Sequence, residues 1–402
     1  MNEIKQPLAR SPSQSWIARD AVRIQLSSQD LAAAPPSRVM SDAADLVARA
    51  SREMHLGVKH KGEPVPAWLN HSPELEHRVI TLEQFGRDAL GSVDPAFRFK
   101  FNEQGQIVEV AEHPLAKHFY RFRPGWEAPL TSDDGLVDYR TRPLAHFVLD
   151  VFAYHPFLKQ CWAVALPGHM RPTQRTPEGD GYLGEAFNDL LDALRAEAFS
   201  RQIDDVEIVH DKGAKRANDR MWAYIGGCLR QCKRAYVASM VFFHREEYGC
   251  KVPIELAMQH HATFTNRLRA RAAIKQRLIG AIWKRDWSDA RGHHYRWIFI
   301  FDGELVQAAW EWTDLIEAQW GNVVPQGAGY ADTVDDEEQS GYTGMIELDG
   351  SVDKLAALKA EIRYLAMKDY ALCVEPLANA NAWGTFTPGR EEPQIRLTRC
   401  QL

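Results

Sequence analysis

Asp286, His294 and Arg296 are the residues of this chain best placed for chemistry. They flank a polar turn within the segment Ile279–Gly303, and alternation puts His294 and Arg296 on the same side of the strand that leaves the turn. An acid, an imidazole and a guanidinium held at the end of a rigid strand can bind a metal ion or a phosphate. The guanidinium cannot ligate a cation, because it stays protonated, but it can grip a phosphate with two parallel hydrogen bonds. Farther along, Tyr364 and Lys368 stand one helical turn apart. A phenol has a reference pKa near ~10, so its attack on phosphorus needs a cation or base beside it and a partner for the developing charge.

A hairpin and a helix must position these groups. Ile279 to Trp283 is apolar and reads as a strand, and Asp286 to Gly292 reads as the turn because Ser, Asp and Gly break strands. In the second strand, His294 to Phe301, one face is wholly aromatic (Tyr295, Trp297, Phe299, Phe301). The other continues from His294 and Arg296 into Ile298 and Ile300, so the far half is apolar on both faces, as in a central strand. His293 falls on the side opposite His294. The late helix is expected from Asp353 to Asp369, with Leu355, Leu358, Ile362 and Leu365 as its core stripe. Tyr364 and Lys368 then share a flank that the core does not claim.

The remainder is read in order. Residues 1–75 form a Ser-, Pro- and Ala-rich mobile arm, within which Ser41-Asp42 can cap a short helix to Met54. Residues 76–170 form an α+β region with a hairpin, Phe97–Lys100 and Ile107–Val110, turning at Gly105, and a helix beginning at Pro143. Pro167, Gly168 and Pro172 mark a boundary, and Leu183, Phe187, Leu190, Leu191 and Leu194 then predict a helix over 182–200. A strand follows from Ala235 to Phe243, then one long helix from Glu255 to Leu278 and another from Glu304 to Trp320. The second half of the long helix carries Arg267, Arg269, Arg271, Lys275 and Arg277, which reads equally as a solvated face or as a phosphate-tracking surface. Asp335 to Glu338 is an acidic surface excursion, and 391–402 is a tail. The fold class is α+β: an antiparallel sheet flanked by helices over 180–390, preceded by a separate, mostly α region.

The chain has 402 residues, 45% hydrophobic and 25% charged, which suffices for two or three domains. A net charge of -6 means that any nucleic-acid contact must come from a local basic patch. None of the six cysteines makes a C-x-x-C pair, so the expectation is reduced thiols in a cytoplasmic protein. No window has the apolar length of a membrane span.

The stretch Trp283-Lys284, Asp286, Gly292, His294 and Phe301-Asp302-Gly303 resembles the core of the inovirus-type gene-two proteins, the YagK/YfjJ C-terminal domain family. That family is similar to the HUH rolling-circle replication initiators of phages, prophages and other mobile elements. Tyr364-Leu365 and Lys368-Asp369 match its tyrosine motif, and the likeness runs from about 180 to 390, including Trp383 to Arg390. The chain departs from the pattern in three places: Arg296 stands where a second histidine belongs, Met367 where a first lysine belongs, and Val241-Phe242 where an acid usually lies. The resemblance implies an HUH/Rep-like domain that nicks and rejoins single-stranded DNA. Tyr364 would attack, Asp286 and His294 would hold Mg or Mn, Lys368 would neutralise charge, and Arg296 with the basic helix would bind phosphates. The alternative is a non-catalytic descendant that needs no cofactor and binds DNA or, through residues 1–170, another protein.

Overall fold

The structure is a computed structural model, described for residues 45–50, 73–130, 139–164, 169–245, 252–288, 291–306, 310–325, 328–333, 341–347, 350–374 and 381–388. It is a mixed helix and sheet protein. Its main sheet is antiparallel, in the order β10 (Trp383–Phe386), β5 (Leu278–Ser288), β6 (Gly292–Asp302), β4 (Arg234–His244), β7 (Gly329–Thr333), with β8 (Gly344–Glu347) pairing β4 beside β7. The motif near the end of the 180–390 stretch is thus a neighbour of the central hairpin, since Trp383 to Phe386 pairs with Lys284 back to Ala281.

Alternation along β5, β6 and β4 gives the sheet two different faces. Tyr295, Trp297, Phe299 and Phe301 pack under Phe264 and Leu268 of the helix Ile254–Ala270 and under Ile316 and Trp320 of the helix Trp310–Gly321. Ile282, Ile298 and Ile300 lie on the other face, against Met221 and Ile225 of the helix Ile203–Leu229 and Leu358, Ile362 and Leu365 of the late helix Val352–Ala371. An aromatic layer thus faces one pair of helices, and an aliphatic layer the other. The helix Ile203–Leu229 lies so close to β5 that a Cβ on Gly280 would come within 2.5 Å of the Tyr224 hydroxyl and 2.7 Å of Cys228 Sγ.

The N-terminal region has a core of its own. The rings of Phe85, Phe97, Phe119, Phe122, Phe152, Phe157 and Phe187 interlock there, many edge to face. The expected hairpin is present as β1 (Phe97–Phe101) and β2 (Ile107–Glu112), turning at Gly105 with φ +72 in the left-handed region. The Pro143 helix runs to Tyr154. The helix Leu183–Arg201, which the sequence assigns to the sheet domain, contributes Phe187, Leu190 and Leu194 to this N-terminal core instead. The two parts are tied by a small ladder, β3 (Tyr139–Thr141) with β9 (Leu372–Val374), directly after the late helix.

Several expectations are corrected. The helix expected from Glu255 to Leu278 ends at Ala270, because Arg271 takes an extended ψ of 112°; a short turn, Ala272–Lys275, precedes β5. The helix expected from Glu304 begins at Trp310. The helix expected after Ser41-Asp42 is present over residues 45–50, but it packs in rather than belonging to a mobile arm, with Val47 and Ala50 fully buried. The acidic run 335–338 and the tail 391–402 lie outside the described residues.

Candidate functional site

Asp286 lies within a strand rather than in the turn. Pairing continues through Trp287 opposite His293 and Ser288 opposite Gly292, and Gly292, at φ +60, starts the return strand. Asp286 therefore sits directly opposite His294, and Lys284 opposite Arg296, all four on the aliphatic face. This polar patch caps the apolar rows below it.

The late helix covers the patch with Glu361, Tyr364 and Lys368, which fall at i, i+3 and i+7 along one face. Lys368 Nζ lies 3.1 Å from Asp286 Oδ1, with side chains only 3% and 2% exposed. Arg296 Nη1 donates to Glu361 Oε1 at 3.1 Å, and its Nε is 4.0 Å from Asp286 Oδ2. Lys284 pairs with Asp369. Arg49, from residues 45–50, donates to Glu361 Oε2 at 2.7 Å and lays its guanidinium 3.5 Å above the Tyr364 ring. The expectation that Tyr364 and Lys368 stand clear of the core is corrected: both are buried. The helix has two inward stripes, an aliphatic one on Ile282 and Ile298 and a polar one over Asp286 and Arg296.

Electrostatics follow from this packing. Burial alone would raise the Asp286 pKa, but Lys368, Lys284, Arg296 and His294 together hold it well below the usual carboxylate range. His294 is pulled down to about 4, mainly by burial, against the opposing pull of Asp286. Its Nδ1 lies 3.0 Å from the Gly292 carbonyl, so Nδ1 carries the proton and Nε2 is the acceptor. Its ring packs beside Phe243 at 5.1 Å.

This donor set does not suit Mg or Mn. Asp286 and His294 offer one carboxylate and one imidazole, and that carboxylate already faces an ammonium and a guanidinium. Among the described residues, four cations (Arg49, Lys284, Arg296, Lys368) share three carboxylates (Asp286, Glu361, Asp369). A divalent ion on Asp286 would have to displace the contacts that Lys368 and Arg296 make with its carboxylate. No group of three or more His, Cys, Asp or Glu side chains among the described residues is arranged to hold a metal.

The basic run lies elsewhere. Its helix packs on the aromatic face, so the sheet separates it from Asp286 and Tyr364. Arg267, Arg271 and Lys275 are exposed, although Arg267 also donates to the Asn322 carbonyl at 2.9 Å. Arg269 and Arg277 cover the rings of Phe386 and Trp312 at 5.3 and 4.7 Å. Four participants in the ion cluster escaped sequence reasoning as site residues. Lys284 shares the strand period of Asp286, and Glu361 the helix period of Tyr364 and Lys368, whereas Asp369 falls off that face and Arg49 carries no local signal. No protein-family model, no curated protein and no solved structure matches the chain, so its likeness to the gene-two proteins rests on the motifs alone.

Proposed function

We propose that this protein is an HUH-type, replication-initiator-like relative that binds single-stranded DNA of a mobile element in the cytoplasm without cutting it. One observation carries the proposal: Lys368 sits 3.1 Å from Asp286, both buried, so the carboxylate that the family likeness would give to a cation is taken up by an ammonium. The pocket has become an ion cluster that locks the late helix to the sheet. Tyr364 lies beneath Arg49 rather than open to a strand. The family motifs and the exposed Arg267, Arg271 and Lys275 support the DNA-binding part of the reading.

The test is titration of single-stranded DNA at several salt concentrations. Glu substitutions at Arg267, Arg271 and Lys275 should each weaken binding across sequences and reduce the salt slope by roughly one phosphate contact. Tyr364→Phe should leave binding unchanged. Affinity indifferent to the three reversals would refute the DNA-binding role.

Nicking by Tyr364 is a second reading, favoured by one feature. The Nδ1 contact of His294 with the Gly292 carbonyl leaves Nε2 as a proton acceptor on the same face as Asp286.

A further inference from the structure

β5 turns Asp286 toward one face of the sheet and Arg285 toward the other. Arg285 is 8% exposed, and its cross-strand neighbour is Tyr295, with whose hydroxyl its guanidinium interacts. Its Nη1 is buried without a hydrogen-bond partner, and among the described residues no carboxylate pairs with it. A buried guanidinium left uncompensated is strongly unfavourable, and an unsatisfied buried donor in a well-formed sheet points to a missing ion or water.

The neighbours add donors and positive charge. His261, from the helix Ile254–Ala270, stacks on Tyr295 with ring centroids 4.0 Å apart and planes 10° from parallel, and touches Trp283 at 4.4 Å. Its Nε2 is also buried without a partner. His293 follows on β6, on the same face as Tyr295. Burial, and after it Arg285, holds down the pKa of both imidazoles, and Arg269 adds to the effect at His261. The unsatisfied Arg285 Nη1 and His261 Nε2 thus lie on one face where β5, β6 and a helix converge, with His293 one register step along β6 from Tyr295.

We propose that Arg285, His261 and His293 form a binding site for a single phosphate group. Donors arriving from three elements suit a tetrahedral anion, which offers an oxygen to each, whereas a carboxylate would satisfy only the fork of the arginine. This site lies across the sheet from the ion cluster and does not depend on the DNA-binding reading.

The experiment uses the full chain in buffer free of phosphate and sulfate. Thermal melts are followed against inorganic phosphate, acetate, chloride and a 5′-phosphorylated oligonucleotide at constant ionic strength. Inorganic phosphate should give a saturable rise in melting temperature, because it binds the folded state alone. Arg285→Met should abolish that response and, having lost an uncompensated charge, melt higher than the parent without ligand. His261→Asn, checked for native circular dichroism, should weaken the response and serves if the first variant does not fold. A response to the phosphorylated oligonucleotide but not to inorganic phosphate would place the phosphate on a strand rather than free in solution. No phosphate-dependent shift from either source, an equal shift with acetate or chloride, or an undiminished shift in both variants would overturn the site.

Discussion

The contact between Lys368 and Asp286 decides how the rest of the pocket is understood. Removing one member of a buried ion pair strands the other, at a cost of about 3–5 kcal/mol, whereas replacing both with apolar groups of similar size is often neutral. Asp286→Leu alone should therefore be strongly destabilising in urea unfolding, and Asp286→Leu with Lys368→Met much less so, with a coupling energy of about 0.5–3 kcal/mol. Additive effects would mean that the two side chains do not act as a pair. Asp286, His294, Tyr364 and Lys368 were legible because strand alternation and helical spacing sort side chains by face. Their burial was not legible, since a Tyr and a Lys beside an apolar stripe resemble a solvated flank until a second polar layer meets them. Arg49 was invisible because its partners, Glu361 and Tyr364, lie about three hundred residues away.

Among the elements, β5 is the most constrained. It pairs with β10 and β6 on its two edges and lies under the helix Ile203–Leu229, where Gly280 leaves room for Tyr224 and Cys228. Tyr224 Oη also donates to the Phe386 carbonyl at 2.6 Å, fixing β10. Gly280→Ala should thus cost about 1–3 kcal/mol through overpacking and loosen the last strand, seen as faster amide exchange over Trp383–Phe386. Exchange unchanged from the parent would mean that the helix can retreat. The hairpin, the Pro143 helix and the late helix were readable from periodicity and Pro placement. The break at Arg271 was not, because a run of good helix formers carries no sign of the extended residue that turns the chain into β5.

Across the whole molecule, buried neutral histidines set the response to acid. Burial pulls His155, His244, His293 and His294 down to about 4 and His261 to about 3. Unfolded histidine titrates near ~6.5, so between about pH 6.5 and 4 the unfolded chain binds more protons, and stability falls with pH in that window. The stabilising contribution is complete above ~6.5. The depressed Asp286 acts in the same direction lower down, losing its contribution as pH falls below its unfolded value. A tenfold difference in proton affinity between folded and unfolded chain corresponds to about 1.4 kcal/mol, so acid unfolding should be steep and nearly complete by about pH 4, as circular dichroism would register. Unfolding free energy that stays flat from pH 7 to 5 in urea would show that these imidazoles titrate in the fold as they do in the unfolded chain. Whether the pocket cuts DNA or only braces the fold decides what the molecule as a whole can do. Labelled single-stranded DNA incubated with the protein in Mn or in a chelator, then run on a denaturing gel, tests this most directly. Binding should be equal in both conditions with no covalent adduct; a Mn-dependent adduct that Tyr364→Phe abolishes would contradict a purely bracing role.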